Sequence, residues 1–170
     1  MNFGLRIALF SCGALIVACT PGPMTVASCA AGPAFQNYRE ADAVALPLRF
    51  ENKMGSAFEV VAVCMSIDGQ PIRQDDPAAV MAGFAAHKPL ELRPMLRPDG
   101  AHRVAVVATF AGRGALEGYK FSVTSAHLIK PADLRSGVLV GQFTERAMPR
   151  PEERPTIEWT EAAAATPAPS

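Results

Sequence analysis

The sequence has no excess of either charge, and this excludes one broad class of partner. Lysine and arginine together number 16, aspartate and glutamate also number 16, and the formal net charge at pH 7 is zero. A protein that binds a polyanion gathers positive charge on its surface. We therefore expect no nucleic-acid partner.

The sequence also lacks the motifs that place catalytic or cofactor groups. It contains no nucleophile elbow, phosphate-binding loop, zinc-binding cysteine pair or H-E-x-x-H helix. Two charged clusters, Asp75-Asp76 and Glu152-Glu153-Arg154, are typical of helix caps and solvated surface. We expect a non-enzymatic protein without a cofactor.

The first residues predict export from the cytoplasm. Arg6 precedes an apolar run from Ile7 to Ala18, which is shorter than the roughly 20 residues that a membrane-spanning helix needs. A short apolar run that ends in small residues is typical of a secretory signal peptide. Residues 1–18 are predicted to be that signal peptide.

The end of the leader, Ile16-Val17-Ala18-Cys19, resembles the lipobox of bacterial lipoproteins. This resemblance implies cleavage before Cys19, a diacylglycerol on its thiol and palmitate-type acylation of its new amine. Anchoring by these chains would replace a transmembrane span. Because Thr20 stands where an aspartate would direct retention in the inner membrane, the resemblance implies an outer-membrane protein that faces the periplasm. Val26-Ala27-Ser28-Cys29 fits the same pattern farther from the apolar run, so Cys29 is the alternative lipidation site.

The remaining cysteines leave two interpretations open. An oxidising envelope compartment permits a disulfide between Cys29 and Cys64, which would add roughly 3 to 4 kcal/mol in the chain-entropy model. In the alternative, Cys64 is a small buried hydrophobic residue and Cys29 has no structural role.

The strongest pattern in the chain is a β-hairpin between Pro98 and Ile129. Apolar residues at even positions 104–110 alternate with other residues, a glycine-rich turn follows, and odd positions 119–123 continue the alternation. Alternation with period two predicts strands with one buried and one wet face.

Other segments predict further strands and one helix. Strands are expected at residues 44–50, 58–65, 70–73, 90–95, 138–143 and 156–159, with an edge strand or bulge at Pro47 and a polar turn over residues 51–56. A short helix is expected near residues 77–83, with Asp76 as its N-cap and Gly83 at its end.

These elements predict an all-β fold, an immunoglobulin-like antiparallel β-sandwich of about six to eight strands. The sandwich is expected to cover residues 43–160. Residues 19–42 are predicted to be a flexible tether and residues 161–170 a disordered tail.

Two candidate sites lie on the hairpin. By parity, His102 and His127 share the inward face at one end, where two imidazoles are a weak candidate for a metal site that lacks a third ligand. Since no ligand set is complete, we expect no metal. Tyr119 with Lys120 is a candidate partner surface beside the glycine-rich turn.

Part of the chain resembles PEGA-type and carboxypeptidase-regulatory-type β-sandwich modules. The resemblance is carried by Ser66-Ile67-Asp68-Gly69-Gln70-Pro71-Ile72, by Leu90-Glu91-Leu92 and by Asp99-Gly100-Ala101-His102-Arg103-Val104. With Gly118-Tyr119-Lys120-Phe121 and Glu152-Glu153-Arg154-Pro155, the chain also looks like small uncharacterised bacterial envelope lipoproteins. These resemblances imply a lipid-anchored, non-enzymatic envelope module that binds an envelope protein or glycan. The alternative is a periplasmic protein that binds a ligand or metal near His102 and His127.

Overall fold

The computed structural model describes residues 33–131 and 137–163. The predicted signal peptide, both candidate lipidation cysteines and most of the predicted tail lie outside these residues. The described strands are β1 (Val44–Ala45), β2 (Leu48–Lys53), β3 (Phe58–Ile67), β4 (Gln70–Pro71), β5 (Leu90–Leu92), β6 (Met95–Leu96), β7 (His102–Gly112), β8 (Lys120–Ile129), β9 (Gly137–Glu145) and β10 (Pro155–Ala163). One α-helix, α1 (Pro77–Ala85), and two short 3-10 helices, Gly114–Leu116 and Pro151–Glu153, complete the described elements.

The strands form two larger sheets and a ribbon. One sheet has the order β10-β9-β2-β5, the other has the order β4-β3-β7-β8, and β1 pairs with β6. Buried side chains from both larger sheets form one core cluster, in which Phe50, Phe58, Phe110 and Phe143 are nearly inaccessible to solvent. The prediction of an all-β sandwich is confirmed.

One pair of strands departs from the antiparallel arrangement that we expected. β2 runs parallel to β9, with Leu48 opposite Leu139 and Lys53 opposite Thr144. β2 therefore lies inside its sheet, between β9 and β5, and the prediction of an edge strand here was wrong. Pro47 is tolerated because it precedes β2, where its carbonyl accepts a hydrogen bond from Leu139 N (3.0 Å).

The central hairpin is formed by β7 and β8, as predicted. Phe110 lies opposite Phe121 and Val104 lies opposite His127. Val104 is 0% exposed and Phe121 is 7% exposed, so the predicted apolar side faces the core. Tyr119 does not face the core as the alternation predicted, because it precedes β8 and is 46% exposed. The alternation of buried and exposed side chains begins only where the pairing of β8 with β7 begins.

Helix α1 begins as predicted and ends later. The Asp76 carboxylate accepts a hydrogen bond from Ala79 N (3.0 Å), but the helix continues through Gly83 to Ala85. The left-handed residue after the helix is His87, with a φ of 60°. Asn52 holds this end of the helix in place, since its side-chain amide donates to Phe84 O (2.9 Å) and its backbone carbonyl oxygen lies 2.7 Å from His87 Nδ1.

Three predicted boundaries require correction. β2 extends to Lys53, so the polar turn is shorter than residues 51–56. β10 pairs with β9 over its whole length, so residues 161–163 of the predicted tail belong to a strand. In the predicted tether, Phe35 N donates to Pro71 O and Tyr38 N donates to Met95 O, each at 2.9 Å. The last part of that segment is therefore attached to the domain.

The two sheets meet along one side through β8 and β10. Trp159 Nε1 donates to Ser125 Oγ (2.8 Å), and Ser125 Oγ donates to Ile157 O (3.3 Å). The Trp159 ring packs edge-on against Phe50 at 5.9 Å between centroids. These contacts connect the exposed edges of the two sheets through side chains.

Candidate functional site

The candidate site lies at the end of the sandwich where β3 turns into β4. Asp68 and Gly69 both have positive φ, 51° and 80°, as a two-residue hairpin turn between antiparallel strands requires. The Asp68 carboxylate accepts a hydrogen bond from Arg103 N (2.8 Å), and Asp68 N donates to Arg103 O (2.9 Å). The turn is therefore fastened to the first residues of β7.

His102 is positioned by this turn. Its Nδ1 lies 2.8 Å from Asp68 Oδ2, and its Nε2 lies 3.2 Å from Arg97 O. Both ring nitrogens therefore lie within hydrogen-bond distance of an oxygen atom. The side chain is 13% exposed, so one edge of the ring contributes to a surface rather than to the core.

An aromatic and a guanidinium group form the opposite wall. The Arg97 guanidinium carbon lies 5.3 Å from the centre of the Tyr38 ring, within the range of a cation–π contact. Asn37 Oδ1 accepts from Met95 N (2.9 Å), which together with the Tyr38 N to Met95 O bond holds this segment against β6. Partial burial, with the carboxylates of Asp42 and Glu40, raises the pKa of the Tyr38 phenol. Tyr38 is therefore a neutral hydrogen-bonding group at physiological pH.

Between these walls is an open cleft of about 500 Å³. Its surface combines aromatic rings and amide side chains with two guanidinium groups, one imidazole and one carboxylate, which suits a ligand with both apolar and polar faces. The residues that line it are Phe35, Gln36, Asn37, Tyr38, Arg39, Asp68, Gln70, Met95, Leu96, Arg97 and His102.

His127 faces the same side of the hairpin as His102 but makes different contacts. It lies opposite Val104, two positions along β7 from His102. Its ring stacks on Trp159 at 5.8 Å, and its Nε2 lies 4.0 Å from Glu161 Oε1. Within residues 33–131 and 137–163, no three histidine, cysteine or acidic side chains are grouped as metal ligands.

A second cleft, of about 670 Å³, lies at the opposite end of the sandwich. It is lined by three basic residues, Lys53, Arg146 and Arg154, and by Glu145. Two of the three cations already have partners: Lys53 Nζ lies 3.0 Å from Glu51 Oε2, and Arg146 donates to Glu158 Oε1 at 2.7 Å. The guanidinium of Arg154 is bound to Met148 O (2.9 Å). Glu145 Oε2 is buried and has no hydrogen-bond partner among the described residues, so this cleft contains one unsatisfied carboxylate oxygen.

The predicted partner surface of Tyr119 and Lys120 lies at the turn of the central hairpin. The Tyr119 carbonyl accepts from Gly112 N (2.8 Å), and its amide donates to Leu116 O (3.2 Å). The backbone is therefore held while the Tyr119 ring is 46% exposed. An ordered, exposed aromatic group next to a lysine is available for contact with a partner.

Comparison with known proteins identifies no relative of this chain. No protein-family model matches it, and neither the curated proteins nor the solved structures contain a match. Among the described residues, no helix is both long enough and apolar enough to span a membrane.

Sequence reasoning found His102 and the Asp68-Gly69 turn, but it did not bring them together. Their contact depends on the register between β3 and β7, which sets Ile67 opposite Val104. Tyr38 and Arg97 were missed, since Tyr38 falls in the predicted tether. The two aromatic residues of that segment, Phe35 and Tyr38, were the available signal.

Proposed function

We propose that this chain is a lipid-anchored, non-enzymatic protein of the bacterial cell envelope whose β-sandwich serves as an interaction or structural module. The observation that carries the proposal is the lipobox-like sequence ending at Cys19, ahead of an all-β domain. Acyl chains on one residue anchor a protein strongly, at about 0.8 kcal/mol per buried methylene. The domain then faces the periplasm from the outer membrane.

The polar contacts within the candidate cleft support a binding role. In the cleft beside His102, the polar groups are engaged with one another: Asp68 with His102 and Arg103, and Arg97 with Tyr38. Groups held in this way present a fixed surface, which lowers the ordering cost of binding a ligand.

The partner class that the cleft favours is an envelope protein or glycan. Tyr38 and Phe35 offer apolar ring surface, and Gln70 offers an amide donor and acceptor. Asn37, whose Oδ1 already accepts from Met95 N, offers amide donors. Sugars bind through this combination of stacking and hydroxyl hydrogen bonds. Ligand binding at this end of the sandwich is the second candidate function, and it does not require a metal.

Substitution of Cys19 tests the anchoring proposal. Cells that express Cys19→Ser are labelled with radioactive palmitate and fractionated, with Cys29→Ser as the matched control. We expect Cys19→Ser to lose the label and retain its leader, whereas Cys29→Ser is labelled and processed like the wild type. Loss of label in Cys29→Ser alone would move the anchor to Cys29, and an unlabelled wild type would refute lipidation.

The cleft is tested by chemical-shift mapping with soluble peptidoglycan fragments. We expect the shifts to concentrate at Tyr38, Gln70 and Arg97, and Arg97→Ala to weaken binding several-fold. Lys53→Ala, in the opposite cleft, is the control and should bind normally. Shifts confined to the opposite cleft would contradict the assignment.

A further inference from the structure

Cys64 lies on the outer face of the sheet formed by β4, β3, β7 and β8, and it is disulfide-bonded. It sits opposite Val107, whose neighbour on β8 is Thr124. The sequence has three other cysteines, Cys12, Cys19 and Cys29. All three lie outside the described residues, so the second half of the disulfide belongs to the segment that precedes Pro33.

The face around Cys64 consists almost entirely of small side chains. The residues of three adjacent strands that share this face are Ala62, Cys64, Ser66, Ala105, Val107, Thr109, Ser122, Thr124 and Ala126. Ala105 is nevertheless only 7% exposed and Thr109 only 2%. By contrast, Thr124 and Ala126 on the same face are exposed, so the small side chains leave the sulfur of Cys64 room to bond across this face.

The start of the described chain lies close to this face. Phe35 N donates to Pro71 O, and Pro71 lies opposite Ser66, two residues from Cys64. Strand spacings of about 4.8 Å and a rise of about 3.4 Å per residue put Phe35 and Cys64 about 12 Å apart. The chain from Cys29 to Phe35 can extend to about 20 Å, so Cys29 can reach Cys64.

We propose that Cys29 is the disulfide partner of Cys64. The choice among the three cysteines rests on the proposed function: Cys12 leaves with the leader, and the sulfur of Cys19 forms the thioether to lipid. The pairing also removes Cys29 as a lipidation site. The disulfide also shortens the free tether. Without it, the first attachment to the domain is at Phe35, sixteen residues after Cys19; with it, the first attachment is at Cys29, ten residues after Cys19.

The bond forms by oxidation of two thiols. Two S–H bonds break, one S–S bond forms, and two protons and two electrons leave. The electron acceptor is the disulfide of an envelope thiol oxidoreductase, which is reduced to its dithiol form. An oxidising envelope then maintains the bond.

The test uses the full chain purified from membranes with free thiols alkylated at lysis. We expect Cys29 and Cys64 to resist alkylation until a reductant is added. Cyanogen bromide cuts after Met24, Met54 and Met65, so it separates Cys19 from Cys29. Without reduction, fragment 25–54 should be linked to fragment 55–65.

Variants separate this inference from the anchoring proposal. Cys29→Ser should make Cys64 fully reactive, while Cys19→Ser should lose the lipid and keep the Cys29–Cys64 link. Cys12→Ser is the control and should change neither. The inference is overturned if Cys64 in the wild type is alkylated before reduction, or if fragment 55–65 is linked to a fragment that ends at Met24.

Discussion

Substitution of Gly141 by alanine should destabilise the sandwich, because β9 passes very close to the core at this residue. A Cβ atom at Gly141 would lie 2.8 Å from Cδ1 and 2.9 Å from Cε1 of Phe50. Nonbonded carbon atoms normally approach to about 3.5 to 4.0 Å. The Phe50 ring cannot retreat, since it is 0% exposed and packs against Phe143 and Trp159 at 6.5 and 5.9 Å.

The expected magnitude follows from two opposing effects. Overpacking of a filled core costs about 1 to 3 kcal/mol, whereas replacing glycine reduces the entropy of the unfolded chain and returns up to about 1 kcal/mol. We expect a net loss of about 1 to 2 kcal/mol in the free energy of unfolding. Urea denaturation followed by tryptophan fluorescence measures it, since Trp159 contacts Phe50 directly.

Gly83→Ala is the matched control for this prediction. Gly83 lies inside α1, and a Cβ atom there meets nothing within 4 Å. Alanine should therefore stabilise the protein by up to about 1 kcal/mol through helix propensity. If Gly141→Ala is as stable as the wild type while Gly83→Ala behaves as expected, the close approach of β9 to Phe50 is refuted.

Three further predictions concern individual polar contacts. The hydrogen bond from Lys53 to Glu51, with a smaller opposing effect of burial, lowers the pKa of Glu51. The stabilisation that Glu51 gains from this contact is present above the unfolded pKa of about 4.3 and disappears as the pH falls through the folded pKa. Glu51→Gln should therefore lower the free energy of unfolding by up to about 1 kcal/mol at about pH 7. Near pH 2 the substitution should have no effect, and urea titrations at the two pH values measure the difference. Asn52→Ala breaks the bonds to Phe84 O and Met54 N and should lower the free energy of unfolding by about 1 to 3 kcal/mol, measured by thermal denaturation. Asp68→Ala removes the bond to Arg103 N and should cost about 1 kcal/mol or more, with faster amide exchange at Arg103; Asp68→Asn should retain most of the stability.

Each of these predictions has a distinct failure. An equal loss at both pH values in Glu51→Gln would show that packing, not charge, is responsible. Full stability of Asn52→Ala would mean that α1 is not held by this amide. Unchanged exchange at Arg103 in Asp68→Ala would contradict the fastening of the turn to β7.

The parts of the fold that depend on local chemistry could be predicted from the sequence. The alternation of apolar and other residues predicted the β7–β8 hairpin. The Asp-Gly pair predicted the turn after β3, because both central residues of such a turn must tolerate positive φ. The Asp76 cap and Pro77 located the start of α1 for a similar reason. In each case the signal lies within a few neighbouring residues.

The parts that depend on distant contacts could not be predicted. The parallel pairing of β2 with β9 joins segments separated by most of the domain, and neither carries a mark of its partner. His87 follows α1 in the left-handed conformation that glycine usually adopts there. This conformation is supported by the contact between the His87 ring and the backbone carbonyl of Asn52. The cleft required Tyr38 from the predicted tether to meet Arg97, which only the pairing of that segment with β6 brings about.

The most direct test of the central proposal is the mass of the amino-terminal tryptic peptide of protein extracted from membranes under reducing conditions. Anchoring at Cys19 predicts a peptide covering residues 19–39, heavier than its sequence by a diacylglycerol and an acyl chain. A peptide that begins before Cys19, or one that begins at Cys19 with the unmodified mass, would contradict it.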